Sequence, residues 1–218
     1  MKFQEKLLDS FIAFEQDLDL LNPIHTDRKD ALKRFEKQGF PSKKDESWKY
    51  TSLKSIIQKN YNLSSKSDKS VELRDVKKYF LNDLDSFKIV FVDGIYSPFL
   101  SKTTHDGMDI CVLSAALSKE KYKSTLKKYF NQIVPKDESL ASLNTSYTKE
   151  GAYVYIPKGV CPEDPVQIMH ISTGNQESIW LQPRNLIIAD KNSKVEIIER
   201  HQSLKDHSVV TNSLTEIY

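Results

Sequence analysis

Phe3, Leu7, Phe11 and Phe14 recur at spacings of four, four and three, with Leu8 and Ile12 beside them. Such spacing returns to one face of a helical turn and predicts an amphipathic helix that ends near Asn22-Pro23. A second helix is expected to open at Thr26 or Asp27 as N-cap, run through Ala31, Leu32 and Phe35, and stop at Gly39, with Pro41 just beyond. Leu53, Ile56 and Ile57 mark a third helical stretch, and the polar run Ser64 to Ser70 reads as a loop. From Phe87 the period shortens to two or the run becomes continuously apolar. FKIVFVDGIYSPFL sets Asp93-Gly94 between two strand-like runs, a hairpin signal near residues 87–100. Helical spacing returns from Ser114, a candidate cap, to Phe130, with a Tyr122, Leu126, Tyr129 stripe.

Beyond Ser139 the texture changes. GAYVYIPKG, PVQIMHIS, SIWLQ, RNLIIAD, KVEIIERH and HSVVTNSLTEIY are short β-branched runs separated by Gly, Pro, Asn and Asp, and helical signals disappear. The fold class is therefore mixed α and β: residues 1–138 mostly helical with one hairpin, and residues 139–218 strand-rich. Many short strands fit a sandwich, a barrel or a β-helix, and no strict repeat chooses among them. The last run stops at Tyr218 inside a strand-like pattern. This leads us to expect a truncated chain whose unpaired edge favours self-association.

Composition narrows the partners. Lys and Arg total 32 against 30 Asp and Glu, so a net charge of +2 provides no global field for nucleic acid or anionic membrane. Lysines cluster from Lys119 to Lys128, but they alternate with apolar residues as on a solvated helix face. Five acidic residues interrupt the apolar pattern of the first 21 positions, unlike a signal peptide, and no window approaches a membrane span. Two isolated cysteines, Cys111 and Cys161, make neither a disulfide framework nor a zinc site, and a reducing cytoplasm is the simplest compartment.

Four ordered stretches carry a resemblance. The first runs from Arg34-Phe35 through Gly39-Phe40-Pro41 to Glu46, Trp48, Tyr50, Thr51 and Leu53; the second is Phe91-Val92-Asp93-Gly94 with Leu100-Ser101. The third passes from Ala141-Ser142-Leu143-Asn144 through Gly151 and Ile156-Pro157-Lys158-Gly159-Val160 to Pro165-Val166-Gln167-Ile168. The fourth is Pro183-Arg184-Asn185-Leu186-Ile187-Ile188, continuing to Val195 through Glu199. Together they resemble the SufB/SufD family of iron–sulfur cluster assembly proteins, over its N-terminal half and nearer its SufD branch. The resemblance implies a helical N-terminal region followed by the beginning of a right-handed parallel β-helix. It also implies a non-catalytic scaffold subunit, partnered by SufB and the ATPase SufC, in cluster assembly and iron acquisition. Iron and the iron–sulfur cluster are then handled by the full complex, with no cofactor bound by this chain. The family's SufC-binding segment and its proposed Cys and His positions fall C-terminal to residue 218, so none carries over.

The remaining candidate chemistry is modest. Glu46, Trp48 and Tyr50 set an acid beside two aromatics, either as a partner segment or, as preferred here, as an anchor of the helical region with Glu46 capping or ion-paired. Arg184, after Pro183, is expected to fix a turn by donating to carbonyl groups. Cys111, Cys161, His25, His105, His170, His201 and His207 show no ligand spacing. His201 and His207 flank a polar turn and are read as solvated, although that turn would let them approach each other. His170 shares a strand face with Val166 and Ile168 and is read as buried and hydrogen-bonded. Cys161 lies in a turn and is read as a packing residue open to weak reactivity. Phosphate-loop, nucleophile-elbow and HExxH motifs do not occur, so no catalytic residue is assigned. Two other readings stand: a SufB-type scaffold paralogue, and a β-helix carbohydrate-active enzyme, which would need charged residues clustered along one strand face.

Overall fold

The computed structural model describes residues 3–16, 18, 24–63, 71–81, 85–105, 107–175 and 178–218. The expected helix end at Asn22-Pro23 and the polar run Ser64 to Ser70 lie outside the described residues. Helix α1 spans Phe3–Gln16 and buries Phe3, Leu7 and Phe11, as its spacing requires. Helix α2 spans His25–Gln38 and buries Ala31 and Phe35. Its N-cap is Ile24, not Thr26 or Asp27, and no side chain caps it. Buried Arg28 lies in the first turn instead, donating from Nε and Nη2 to the Thr148 carbonyl at 3.0 and 2.7 Å. Gly39 closes α2 with φ +70° and its N–H on the Phe35 carbonyl, a left-handed stop that a side chain would strain. Two single-turn helices follow, α3 at Lys54–Ile57 and α4 at Leu73–Val76.

Strands β1 (Phe87–Val92) and β2 (Ile95–Tyr96) form the expected hairpin. Asp93 and Gly94 between them have φ of 48° and 80°, the paired positive values that a two-residue hairpin turn demands. Strand β3 covers Asp109–Val112 and runs directly into helix α5, Leu113–Ser118. The single helix expected from Ser114 to Phe130 is divided: α6 begins only at Lys123 and ends at Tyr129, after a short 3-10 turn. Ser114 is not a cap; its hydroxyl donates to Glu150 at 2.9 Å. Helix α7, Ser139–Ser146, lies where helical signals were expected to have disappeared. Its polar residues Ser142, Asn144, Thr145 and Ser146 are buried, which hides it from a hydrophobic-spacing test.

Strands β4 (Ala152–Ile156), β5 (Val166–Ser172), β6 (Ile179–Leu181), β7 (Arg184–Ala189), β8 (Ile197–Ser203), β9 (Val209–Thr211) and β10 (Leu214–Ile217) complete the chain. One sheet has the order β2-β1-β5-β8, a second β10-β7-β4-β3, and β6 pairs with β9. Among the described residues the two four-stranded sheets are mixed and do not close into a barrel, and the β6–β9 pair is parallel. Among the described strands the β1–β2 and β3–β4 pairs run antiparallel and the other pairs are parallel. Three of them share nearly one offset: Val166 faces Ile197, Ile179 faces Val209 and Arg184 faces Leu214, partners 31, 30 and 30 residues apart. Strands from both sides of residue 138 meet in these sheets, β1 beside β5 and β3 beside β4.

The two four-stranded sheets enclose Ile89, Phe91, Ile110, Val154, Ile168 and Ile187. Outside the second sheet, Leu113, Leu117, Leu126 and Phe130 of the α5–α6 region cover Tyr153, Leu186 and Ile188. Outside the first, Val76 and Phe80 cover Val90, Val92, Met169 and Ile171. β5 is thus covered on both faces, and every one of its residues is buried, the polar Gln167, His170 and Ser172 included. A further cluster joins Phe3, Leu7 and Phe11 to Phe35, Leu143, Tyr147 and Trp180. Gly151 is required at the mouth of β4 because an added Cβ would lie 1.8 Å from the Arg184 carbonyl oxygen.

Arg184 corrects the turn-fixing expectation. It is fully buried on β7, with Nη2 donating to Glu216 of β10 at 2.6 Å and its guanidinium 4.9 Å from the Phe130 ring centroid. Its partners are a carboxylate, an aromatic face and, at 3.5 Å, the side-chain amide oxygen of Asn131, rather than main-chain carbonyls of its own turn. Glu216 also accepts the backbone N–H groups of Asn131, Gln132 and Ile133 at 2.8, 3.1 and 3.4 Å, so the segment after α6 is tied to the sheet by one carboxylate. Glu216→Ala strands a buried guanidinium and these three donors. We expect a loss of about 3–5 kcal/mol in urea unfolding; a loss below about 1 kcal/mol would show that the pair contributes little.

Candidate functional site

The parallel register of β1, β5 and β8 sets Phe91 opposite His170 and His170 opposite His201. Three rings therefore stack across the strands. Phe91 and His170 have centroids 5.0 Å apart at 13°, and His170 and His201 4.6 Å apart at 10°. Two residues on, Ser172 and Ser203 repeat the pairing, with hydroxyls 2.9 Å apart. Period-two alternation places Glu199 on the same face of β8 as His201. One Glu199 oxygen lies 3.0 Å from Nε2 of His201 and 3.7 Å from Nε2 of His170.

Burial divides the three side chains. His170 is 7% exposed, whereas Glu199 and His201 open to solvent along the outer edge of β8. Contrary to the expected hydrogen-bonded histidine, His170 Nε2 is buried with no hydrogen-bond partner among the described residues. Burial, reinforced by neighbouring His201, moves its pKa well below that of an ordinary imidazole, leaving the ring neutral. Glu199 behaves oppositely. Burial favours its neutral acid, but the His201 hydrogen bond and the adjacent imidazoles outweigh that effect and keep it ionised. Asn185 Nδ2, Ser213 Oγ and Thr215 Oγ1 donate to the same carboxylate at 3.2, 3.1 and 3.2 Å, fixing its orientation. Asn185 is itself held by accepting the Ala152 N–H at 2.8 Å.

A cavity of about 70 Å³ adjoins His170, lined also by Phe91, Glu150, Trp180 and Gln182. Glu150 reaches it with one oxygen bonded to Ser114 and the other buried without a partner. Burial raises the Glu150 pKa.

The other sequence candidates lie elsewhere. Glu46 and Trp48 belong to a short 3-10 turn, where Glu46 is exposed and Trp48 half-buried. Tyr50 is 91% exposed, with Lys49 Nζ 5.6 Å from its ring centroid, so it anchors nothing among the described residues. Glu46 forms neither a cap bond nor an ion pair with a described residue. His201 and His207 do not come together as a pair: His201 joins His170, while His207 Nδ1 donates to the Lys205 carbonyl. His25 faces Glu15 at 3.3 Å and His105 packs edge-on against Phe87. Cys161 is exposed and Cys111 half-buried. The sequence signal missed was His170-x-Ser172 recurring as His201-x-Ser203 at an offset of 31, the offset of the strand pairing itself.

Residues 1–168 match the family described as SufBD protein N-terminal region. The chain belongs to the SufBD family. An iron-sulfur cluster assembly SufBD family protein of Synechocystis, slr0076, is 24% identical over 186 residues, covering 82% of this chain and 41% of that protein. Iron-sulfur cluster assembly protein SufD of Escherichia coli is 26% identical over 178 residues, covering 80% of this chain and 38% of SufD. The SufBD family protein ycf24 of Guillardia theta is 32% identical over 64% of this chain and 32% of its own length. The chain thus spans well under half the length of these curated relatives. Within the SufBD match lie β1, the hairpin and Gly151; His170, Glu199 and His201 follow it.

The raised Glu150 pKa gives a signed prediction. Its protonated form is favoured by folding, so that contribution is complete below the unfolded carboxylate pKa and is lost as pH rises through the folded one. Near neutral pH, Glu150→Gln should raise stability by about 1 kcal/mol, or about 2–4 °C in Tm. Thermal melts across an acid series should show the advantage shrinking as pH falls, and an advantage independent of pH would contradict the assignment.

Proposed function

We propose that this chain is a non-catalytic subunit of an iron–sulfur cluster assembly complex, of the SufD type, working as scaffold and partner of SufB and SufC in cluster assembly and iron acquisition. The observation that carries the reading is the match of residues 1–168 to the SufBD N-terminal family. Relatives named as iron-sulfur cluster assembly proteins support it, and the likeness to SufD across 80% of this chain favours that branch. The reading places the protein in the cytoplasm and assigns the cluster and its iron to the whole complex. No described helix is long and apolar enough to cross a membrane.

Under this proposal the parallel strands begin a right-handed β-helix. The nearly constant offset of 30 or 31 residues supports that reading, since each turn of such a coil brings the next strand beside its predecessor. A coil of this kind offers a long rigid face for protein partners, with the N-terminal helices packed beside it. In the Glu46 to Leu53 segment the exposed Tyr50 ring serves as a partner contact, because aromatic side chains contribute large contact area at low entropic cost.

Affinity capture of the tagged protein from its own cells tests both parts. SufB- and SufC-type subunits should be retained by the wild type, and Tyr50→Ala should reduce their retention several-fold with an unchanged melting transition. Capture of neither subunit would sink the functional reading. Undiminished capture by Tyr50→Ala would remove only the assigned contact.

A further inference from the structure

We propose that His170, Glu199 and His201 form a binding site for a divalent first-row transition-metal ion. The three donor atoms come from two paired strands and lie within 4.8 Å of one another. Metal–ligand bonds of about 2.0–2.2 Å place adjacent donors about 3–3.4 Å apart. Glu199 and His201 already meet that spacing at 3.0 Å; the Glu199 to His170 separation of 3.7 Å must shorten, and the two imidazoles, within 10° of parallel and with centroids 4.6 Å apart, must tilt toward each other to close on one ion. Two imidazoles and one carboxylate are borderline ligands of the kind that suit Fe(II) or Zn(II), leaving further coordination positions open.

The second observation is the state of His170. Its Nε2 is buried and unpartnered, and 3.7 Å from the Glu199 oxygen is too long for a hydrogen bond. Leaving such an atom without a partner is costly, and an ion between the three groups would satisfy it. The remaining arrangement fits that role. Phe91 packs flat against the back of His170, while Asn185, Ser213 and Thr215 hold the carboxylate in place, as outer hydrogen bonds do for metal ligands. Side-chain exposures of 26% for Glu199 and 39% for His201 leave an entry path from solvent. This inference rests on the three side chains and goes beyond the family reading, so either can fail without the other.

Anaerobic titration of the purified protein with Co(II), followed by visible absorption and calorimetry and then displaced with Zn(II), tests it. One Co(II) per chain is expected. His170→Phe keeps the stack of rings and Glu199→Gln keeps a planar acceptor for its neighbours, yet each should weaken binding by about tenfold or more. Thr215→Val should weaken it by about tenfold through loss of carboxylate positioning, whereas His207→Gln should leave it unchanged. Near-UV circular dichroism establishes that each variant is folded, and Glu199→Gln serves if His170→Phe is not. A folded wild type that binds no Co(II), or binding that survives in a folded ligand variant, overturns the proposal.

Discussion

The offset of the parallel strands is the constraint on which the rest of the molecule depends. Because side chains alternate along a strand, slipping β8 by one residue against β5 would turn Glu199 and His201 to the other face. Slipping β10 against β7 would likewise turn Glu216 away from Arg184. Register here is specified on both sides of the sheet. Ile168 and Phe91 point into the space between the sheets, while Met169 and Val90 point toward Val76 and Phe80. Either slip would bury polar groups against one layer and strip apolar groups from the other.

Polar groups buried among these layers are not scattered. Arg184 and Glu216 join two parallel strands to the segment after α6, and Arg28 joins α2 to the chain after α7. Asp93 of the hairpin turn accepts the Thr173 N–H and hydroxyl at 2.9 and 2.6 Å, holding the hairpin to the end of β5. Asn144 of α7 donates to the carbonyls of Pro183 and Asn212, fastening the helix to two strand connections at once. Each joint lies where an element must meet the sheets at one angle. Apolar contact alone permits sliding; directional donors and acceptors do not.

The trio of His170, Glu199 and His201 grows from the same geometry that builds the core. Its inner residue is fixed by strand pairing and a neighbouring ring, Glu199 by hydrogen bonds from side chains on β7, on β10 and just before β10, and His201 by its contact with Glu199 and its stack on His170. Pre-positioned donors of this kind lose little freedom on binding an ion. Membership of the SufBD family gives the chain its setting, whereas the trio's chemistry follows from three side chains and two strands.

Local patterns in the sequence determined a good deal. The Phe3 to Phe14 stripe, the Gly39 stop, the Asp93-Gly94 hairpin and the succession of short strands after Gly151 all appear in the structure, because each depends on neighbours a few residues away. Caps were less legible: Ile24 and Val112 stand where Thr26 or Asp27 and Ser114 were expected, since tertiary packing places those helix ends without a side-chain cap. Helix α7 was hidden by its buried polar residues. Only the tertiary structure decided that Arg184 meets Glu216, that Tyr50 faces solvent, and that His170 meets Glu199 and His201. Contacts between residues about 30 positions apart leave no local period, and strand pairing, which alone sets that distance, is fixed when the layers pack together.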